Sequence, residues 1–237
     1  MDLAENFSII QERIRGACAR AKRDVGSVML LAVSKGMPPE MISAAVDLGQ
    51  IFFGENKVQE AKAKIPQCPS RARWHMIGHL QSNKCRDAVQ LFEMIHGVDS
   101  LALAGELNKW ADKLGKTMPV LLEVNSGEAT KFGFKPAVVI EQLAALNTLP
   151  RLEIHGLMTI APWTPEPERA RPAFRALREL KIRCEQMLGA PLPHLSMGMS
   201  GDFEVAIEEG ATMVRIGTAL FGPRPKAQRT AMVDDGP

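Results

Sequence analysis

The sequence predicts an α/β fold, a single (β/α)8 barrel with an extra N-terminal helix. Eight apolar runs of strand length alternate with segments whose apolar residues recur at helical spacing. This alternation is typical of βα units around a parallel sheet. Eight such units in about 200 residues fit a barrel at the small end of its size range. A doubly wound open sheet would also alternate, but no GxGxxG fingerprint follows any run, which favours the barrel.

The elements follow one another in a regular order. The opening segment has apolar residues at helical spacing with charges between them, which predicts an amphipathic helix within residues 1–25. Strands are predicted at 28–33, 51–53, 73–77, 94–98, 119–124, 152–158, 194–196 and 213–216. Helices are predicted between them, among others at 40–48, 101–114, 136–146 and 166–188. We expect one domain over residues 1–222, with the barrel at 28–222, and a disordered tail at 223–237.

Composition excludes several function classes for this 237-residue chain. Hydrophobic residues make up 46% and charged residues 24%, which is typical of a globular protein. With 29 basic and 27 acidic residues, the net charge of +2 gives no reason to expect nucleic acid or an anionic membrane as partner. The four cysteines are far apart without a CxxC pair, which indicates reduced thiols and a cytoplasmic protein.

A lysine stands at the end of the first predicted strand. The apolar run is followed by Ser34 and Lys35, and Pro38-Pro39 then opens a helical pattern. In a barrel, this position places the lysine amine at the mouth of the sheet, where these folds carry their chemistry. A partly desolvated amine there can form a Schiff base. The alternative is a solvated lysine that only caps the strand.

Polar and glycine-rich segments follow the other predicted strands, so they gather on the same face of the barrel. The segments are Gly54-Glu55-Asn56, the stretch from Gly78 to Lys84 with His79, Asn125 with Lys131 nearby, Met158-Thr159, the stretch from Ser196 to Asp202, and Arg215-Ile216-Gly217-Thr218.

The last two loops suggest a phosphate site. Barrels often hold a phosphate between the loops after strands seven and eight. Ser200 followed by Gly201-Asp202 resembles a capped helix start, and Gly217-Thr218 offers close backbone and a hydroxyl donor. Taken singly, Ser200 could be only an N-cap and Gly217 only a turn. Together with a lysine amine on the same rim, they point to a ligand with an aldehyde and a phosphate, such as pyridoxal 5′-phosphate (PLP).

Arg215 admits two interpretations. Beside a pyridine nitrogen, an arginine can only donate a hydrogen bond, so it leaves the nitrogen unprotonated and weakens the ring as an electron sink. The alternative is a salt bridge to Glu204, Glu208 or Glu209.

Five strings of the sequence match one known family. They are Leu31-Ala32-Val33-Ser34-Lys35, Phe53-Gly54-Glu55-Asn56 with Val58-Gln59-Glu60, the segment from Trp74 to Lys84, Leu195-Ser196-Met197-Gly198-Met199-Ser200, and Val214-Arg215-Ile216-Gly217-Thr218. In this order, from about Leu30 to Gly222, they resemble the YggS/PROSC family of pyridoxal phosphate homeostasis proteins.

The resemblance implies a fold-type III barrel like the N-terminal domain of alanine racemase. It implies PLP bound to Lys35 as a Schiff base, with the phosphate held by Ser200, Gly217 and Thr218. Asn56 would lie beside the ring and Arg215 would face the pyridine nitrogen. The further candidates for the cofactor site are Met199, His79 and Lys131, the last of which matches a family lysine connected with cofactor handling.

Two positions depart from the family pattern. Lys57 stands where the family usually has tyrosine, and Gly36-Met37 replaces the commoner Thr-Lys after the anchoring lysine. A second lysine near the cofactor is therefore missing, which puts cofactor exchange in doubt.

The complete absence of tyrosine decides between functions. Alanine racemases use a tyrosine from a second domain of the partner subunit as the base opposite the lysine. No tyrosine is present here, and the stretch from Phe221 to Pro237 is too short for a second domain. We therefore expect a non-catalytic, monomeric protein that binds and buffers PLP and delivers it to PLP-requiring apo-enzymes.

Three rival functions stay open. One is a racemase-like PLP enzyme that uses His79 or a water as its second base. Another is a class I aldolase-type barrel in which Lys35 attacks a substrate carbonyl without a cofactor. The third is a metal enzyme using His75 and His79, which would lie roughly 13 Å apart on an extended strand, too far for one zinc ion.

Overall fold

The structure is a computed structural model that describes residues 2–127 and 132–223. Its eight parallel strands form a closed barrel in sequence order, with β8 paired to β1, so the predicted (β/α)8 fold is confirmed. The strands are β1 (Met29–Val33), β2 (Phe52–Glu55), β3 (Arg73–Met76), β4 (Met94–Val98), β5 (Met118–Glu123), β6 (Leu152–Met158), β7 (His194–Ser196) and β8 (Met213–Ile216).

The described α-helices are α1 (Leu3–Arg20), α2 (Pro39–Asp47), α3 (Val58–Lys64), α4 (Cys85–Leu91), α5 (Leu101–Lys113), α6 (Pro136–Asn147), α7 (Arg171–Leu188), α8 (Phe203–Glu208) and α9 (Thr218–Phe221). Helix α1 precedes the barrel, and the others follow its strands. No helix in the described part of the chain is long and apolar enough to cross a membrane.

Helix α1 packs against the elements that flank β8. The carboxylate of Asp2 accepts a hydrogen bond from the Ala4 N–H and caps the helix. The buried amide of Asn6 donates to the carbonyl oxygen of Leu220 at 2.9 Å, and the Arg13 guanidinium lies 2.9 Å from Glu204. These contacts fix α1 to α8 and α9, and so support the two loops that were predicted to hold a phosphate.

Polar side chains cross the middle of the barrel. His96 of β4 contacts Ser196 of β7, although these strands are not neighbours. Such a contact is possible only through the barrel interior. A separate apolar cluster on the strands consists of Met94, Leu121, Met158 and Met213, with Met29 and Ile160 packed against it.

Most element boundaries agree with the prediction, and the exceptions have physical causes. Strand β2 begins at Phe52 and continues through the charged Glu55, whereas Ile51 lies outside it and is 45% exposed. The segment predicted as a helix from residue 166 begins with a 3-10 turn (Pro167–Ala170), and α7 starts only at Arg171. Pro172 fits this start because the first turn of a helix needs no N–H donor there.

Candidate functional site

The strand register brings the predicted site residues to one rim of the barrel. Val33 of β1 pairs with Gly54 of β2, and Ala32 pairs with Ile216 of β8. Lys35 follows β1 by two residues, Asn56 follows β2 directly, and Thr218 follows β8 by two residues. All three therefore lie at the carboxyl ends of adjacent strands, the end where barrels of this type carry their chemistry.

Lys35 lies in a tight loop in which the residues next to the lysine form hydrogen bonds. The Met37 N–H donates to the Ser34 carbonyl at 2.9 Å, which closes a turn around Lys35 and Gly36. The Gly36 N–H donates to the Glu60 carboxylate at 2.6 Å. Ser34 and Gly36 are buried, whereas Lys35 is only partly buried. The loop thus leaves the Lys35 residue partly accessible while its backbone on both sides is fixed.

A buried ion cluster lies under this loop, which sequence reasoning missed. The Lys64 ammonium is 2.7 Å from carboxylate oxygens of both Glu55 and Glu60, and 2.8 Å from the Ser34 carbonyl oxygen. The Ser34 hydroxyl donates to the same Glu55 oxygen at 2.7 Å. The other Glu55 oxygen is buried without a hydrogen-bond partner. Burial raises the pKa of Glu55, and the Lys64 charge opposes that rise.

Arg215 is buried inside the barrel, which excludes the alternative of a salt bridge to Glu204, Glu208 or Glu209. Its Nη1 donates to the Ser196 hydroxyl at 2.7 Å, and its Nη2 donates to the Thr159 carbonyl at 2.8 Å. These three glutamates instead contact arginines of α1 and α7, on the outside of the barrel. Burial lowers the pKa of Arg215 to about 10, although Glu123 and Asp202 raise it in part.

A chain of buried polar groups continues from Arg215 across the barrel. Ser196 Oγ lies 2.9 Å from His96 Nδ1, and His96 Nε2 lies 3.0 Å from His75 Nδ1. Burial lowers the pKa of His75 to about 4 and that of His96 well below its ordinary value, so both rings are neutral at physiological pH. His75 therefore belongs to the barrel interior and does not share a site with His79, which contacts Asp99.

The segments after β7 and β8 meet at Ser200, and the alternative in which Ser200 is only an N-cap is wrong. The Ala219 N–H, in the first turn of α9, points to Ser200 Oγ at 3.5 Å and connects the β7 loop to the segment after β8. Ser200 is not the N-cap of α8, because Asp202 occupies that position and its carboxylate accepts from the Met199 N–H at 2.6 Å. Ser200 and Met199 are half-buried, and Thr218 is exposed. The Ser200 hydroxyl is thus directed to the β8 loop rather than to its own helix.

Gly217 lies where a larger residue would make a tight contact with the end of β1. A Cβ at this position would come within 3.2 Å of the Val33 carbonyl oxygen and 3.3 Å of the Val33 side chain. Glycine therefore lets the β8 loop approach the end of β1, the strand that leads to Lys35.

His79 lies on the same face of the barrel, on the far side from β8. Its Nδ1 is 3.0 Å from a carboxylate oxygen of Asp99, and its ring stacks on Phe132 with centroids 3.6 Å apart. Phe132 is 54% exposed, so this stack forms part of the outer rim. Lys131, the other candidate from this region, lies outside the described residues.

Glu123 is a buried acid that sequence reasoning missed. It ends β5, and it is only 7% exposed. Burial and the nearby Asp99 raise the pKa of Glu123 to about 7, whereas the Arg215 charge lowers it. A carboxyl group with this pKa can hold or release a proton near neutral pH. Its charge directly after Leu121-Leu122 in an apolar strand was the signal that could have identified it.

A cavity of about 410 Å³ lies to one side of these residues, between the loop after β5 and helix α7. Its lining includes Asn125, Ser126 and Thr159 on the rim, and Leu177 and Leu180 of α7. Lys35, Ser200 and Gly217 are not among its lining residues, whereas Thr159, whose carbonyl accepts from Arg215, is.

The fold and the site define a class of barrel protein. A closed (β/α)8 barrel with a lysine after its first strand and a buried arginine on its last strand is matched by a family model described as "Alanine racemase, N-terminal domain", over residues 3–225. Within this class, the chain belongs to the family of pyridoxal phosphate homeostasis proteins, which confirms the resemblance drawn from the sequence.

Three relatives support this assignment. The pyridoxal phosphate homeostasis protein of Aquifex aeolicus is 46% identical over 226 residues, which cover 94% of this chain and 99% of that protein. The protein of the same name from Escherichia coli K12 is 40% identical over 236 residues, covering 96% and 99%. PipY of Synechococcus elongatus, solved with PLP bound, is 38% identical, has a TM-score of 0.81, and the match covers 93% of this chain and all of PipY.

Proposed function

We propose that this protein binds PLP and takes part in its homeostasis by binding, buffering and delivering the cofactor. The observation that carries the proposal is that Lys35 and the Ser200–Ala219 contact follow the neighbouring strands β1, β7 and β8 at their carboxyl ends, with Arg215 buried on β8. Relatives that carry the homeostasis name and the PLP-bound structure of PipY support the same conclusion.

The residues on this rim fit the three parts of the cofactor. A lysine amine can take up the aldehyde, and Lys35 is the lysine directly after β1. A phosphate requires hydroxyl and backbone N–H donors, which Ser200, Gly217 and Thr218 supply on two adjoining loops. The pyridine nitrogen requires a hydrogen-bond donor, and Arg215 has a guanidinium oriented by two buried contacts. Asn56 and Met199 would line the ring, and His79 is a further candidate for a cofactor contact.

Arg215 favours holding the cofactor over converting amino acids. When bound, PLP supplies a reactive aldehyde and an electron sink. The sink is strongest when the ring nitrogen is protonated, but a guanidinium only donates hydrogen bonds and leaves that nitrogen unprotonated. The sequence also has no tyrosine to act as a racemase base. We therefore propose a role without conventional amino-acid conversion.

The test is the absorption spectrum of the purified protein with added PLP. Wild-type protein is expected to gain the absorption band of a lysine-bound aldehyde, and Lys35→Ala is expected to lose it. Lys84→Ala is the matched control, because Lys84 lies after β3 on the same face of the barrel. Borohydride trapping followed by peptide mass mapping then identifies the modified lysine directly.

Each other outcome points to a different function. A wild-type protein that gains no band overturns the proposal and favours an aldolase-type barrel. A band that persists in Lys35→Ala moves the attachment to another lysine, with Lys84 and Lys131 next to test. Turnover of any amino acid by the PLP-loaded protein at a useful rate favours the racemase-like enzyme.

The partners are proposed from the same reasoning. A cofactor buffer in the cytoplasm would pass PLP to PLP-requiring apo-enzymes, and we propose that it does so as a monomer. Sedimentation measures the mass of the protein. Activation of an apo-enzyme by the PLP-loaded protein, faster than by the PLP that it releases into solution, measures delivery.

A further inference from the structure

The loop that carries Lys35 is held on both sides by one ion cluster, the Glu55–Lys64–Glu60 cluster. On one side, Lys64 donates to the Ser34 carbonyl and Glu55 accepts from the Ser34 hydroxyl. On the other side, Glu60 accepts from the Gly36 N–H at 2.6 Å. The residues directly before and after Lys35 are therefore bound to the same three charged groups.

Lys64 is the centre of the cluster. Its side chain is only 7% exposed, and it lies on α3 one turn after Glu60. An ammonium has three N–H groups, and three acceptor contacts at 2.7–2.8 Å match them: the Ser34 carbonyl, Glu55 and Glu60. All three N–H groups of the Lys64 ammonium therefore bind the Lys35 loop and the two carboxylates. Together with the contact between Glu60 and Gly36, they connect α3 to the residues that follow β1.

A buried ion cluster is a costly way to stabilise a fold. Apolar side chains of similar volume often stabilise a protein as well or better, because charged groups lose their hydration on burial. One Glu55 oxygen even lacks a hydrogen-bond partner. The cluster does fix the geometry of the groups that it joins, because hydrogen bonds to charged groups are strong and hold the atoms that they join in place.

We propose that Lys64, Glu55 and Glu60 are positioning residues that hold the Lys35 loop in the conformation in which its amine captures the cofactor aldehyde. The inference rests on the proposed function, because it concerns how Lys35 meets PLP. It assigns a role to α3, a helix that contributes no residue to the predicted cofactor contacts. It also gives a reason for charged residues at buried positions in β2 and α3.

The same helix supplies a matched control. Lys62 lies two residues before Lys64 and also forms an ion pair, with Asp87 at 2.9 Å, but its side chain is 63% exposed. Lys62→Met and Lys64→Met therefore remove the same charge from the same helix. Only Lys64→Met removes contacts to the Lys35 loop.

Two readouts distinguish positioning from general stability. The first is hydrogen exchange of the Gly36 amide in the cofactor-free protein, relative to amides of the barrel strands. The second is the PLP concentration required for half-maximal trapping of Lys35 by borohydride, measured by peptide mass mapping. For Lys64→Met, we expect Gly36 exchange to accelerate and the half-maximal PLP concentration to rise, each by about tenfold or more, as loss of a charged hydrogen bond implies. Lys62→Met is expected to match wild type in both.

Glu60 provides a conservative pair of variants. Glu60→Gln keeps an oxygen that can accept from the Gly36 N–H, whereas Glu60→Leu removes it. Gly36 exchange is expected to stay slow in Glu60→Gln and to accelerate about tenfold in Glu60→Leu. The Glu60 side chain is 20% exposed, so this pair decides the question if Lys64→Met does not fold.

Two results overturn the inference. One is a folded Lys64→Met protein in which Gly36 exchange and Lys35 trapping equal those of wild type. The other is equal Gly36 exchange in Glu60→Gln and Glu60→Leu. Failure of the proposed function is a separate result, in which the wild-type protein itself traps no PLP on Lys35. The exchange measurements need no cofactor and still test whether the cluster holds the loop.

Discussion

Arg215 Nη1 donates a 2.7 Å hydrogen bond to Ser196 Oγ at the centre of the barrel. Because a guanidinium only donates, the Ser196 oxygen is the acceptor of this bond, and the same oxygen lies 2.9 Å from His96 Nδ1. His96 Nε2 in turn lies 3.0 Å from His75 Nδ1. The network links the predicted ring-nitrogen donor to three further strands of the barrel, β7, β4 and β3.

Ser196→Ala is expected to destabilise the protein and release Arg215. The substitution leaves one guanidinium N–H and His96 Nδ1 without their shared partner inside the barrel. Unsatisfied buried groups of this kind cost about 1–3 kcal/mol in the free energy of unfolding, which urea denaturation measures. Ser43→Ala is the control, because the Ser43 hydroxyl bonds only within α2, to the Pro39 carbonyl. Equal stability of the two variants would contradict the assigned network.

His75 is expected to make the protein sensitive to acid. Its pKa of about 4 in the folded protein is below the ordinary value of 6.5, because burial disfavours the charged ring. Between these two pH values the unfolded chain binds more protons than the folded one, so stability falls as pH drops from 6.5 to about 4.

The measurement is the free energy of unfolding of wild type and His75→Gln across this pH range. The stability of wild type relative to His75→Gln should decrease by up to about 3 kcal/mol from pH 7 to pH 4, since each pKa unit corresponds to about 1.4 kcal/mol. A constant difference between the two proteins at all pH values would show that His75 titrates normally.

The position of Lys35 was predictable from the sequence, but the contacts of Arg215 were not. A short apolar run that ends in Ser34-Lys35 determines where the lysine lies once the fold is a barrel. The partners of Arg215 are 19 and 56 residues away, on strands that approach it only when the barrel closes. The salt-bridge alternative for Arg215 involved glutamates close to it in the sequence. The structure instead pairs these glutamates with arginines on the outside of the barrel.

The charged residues of the Glu55–Lys64–Glu60 cluster were missed for a similar reason. In a sequence, a glutamate at a strand end and a lysine near a helix end usually mean solvated side chains. Here both are buried because they form an ion pair with each other, nine residues apart in the sequence. Both also form hydrogen bonds with Ser34, which is 21 residues from Glu55 and 30 from Lys64. The alternative of Ser200 as an N-cap failed for a local reason, because Asp202 is next to the first residue of α8 and takes the cap position.

Ser200→Ala and Thr218→Ala are expected to weaken the binding of PLP selectively through its phosphate. Each substitution removes one hydroxyl from the adjoining loops after β7 and β8. Loss of a hydrogen bond to a charged group predicts a PLP dissociation constant about tenfold higher for each variant. Pyridoxal, which has the aldehyde but no phosphate, should bind wild type and both variants equally. Equal losses for PLP and pyridoxal would argue against a phosphate at these loops.

Glu123→Gln is expected to remove a second pH dependence, opposite in sign to that of His75. The folded-state pKa of Glu123 is about 7, above its ordinary value of 4.5, because the carboxylate is buried and close to Asp99. Between these pH values the folded protein binds more protons than the unfolded chain, so stability falls as pH rises from 4.5 to about 7. Relative to wild type, cofactor-free Glu123→Gln should therefore gain up to about 3 kcal/mol of unfolding free energy between pH 4 and pH 8.

Glu141→Gln controls for the loss of one negative charge, since Glu141 is exposed on α6. Its stability relative to wild type should change little over the same pH range, because exposed charges contribute little to stability. Urea denaturation at each pH gives both differences. If Glu123→Gln and Glu141→Gln follow the same curve, Glu123 is ionised at neutral pH like a surface glutamate. If only Glu123→Gln gains stability as pH rises, the acid beside Arg215 holds its proton up to about pH 7.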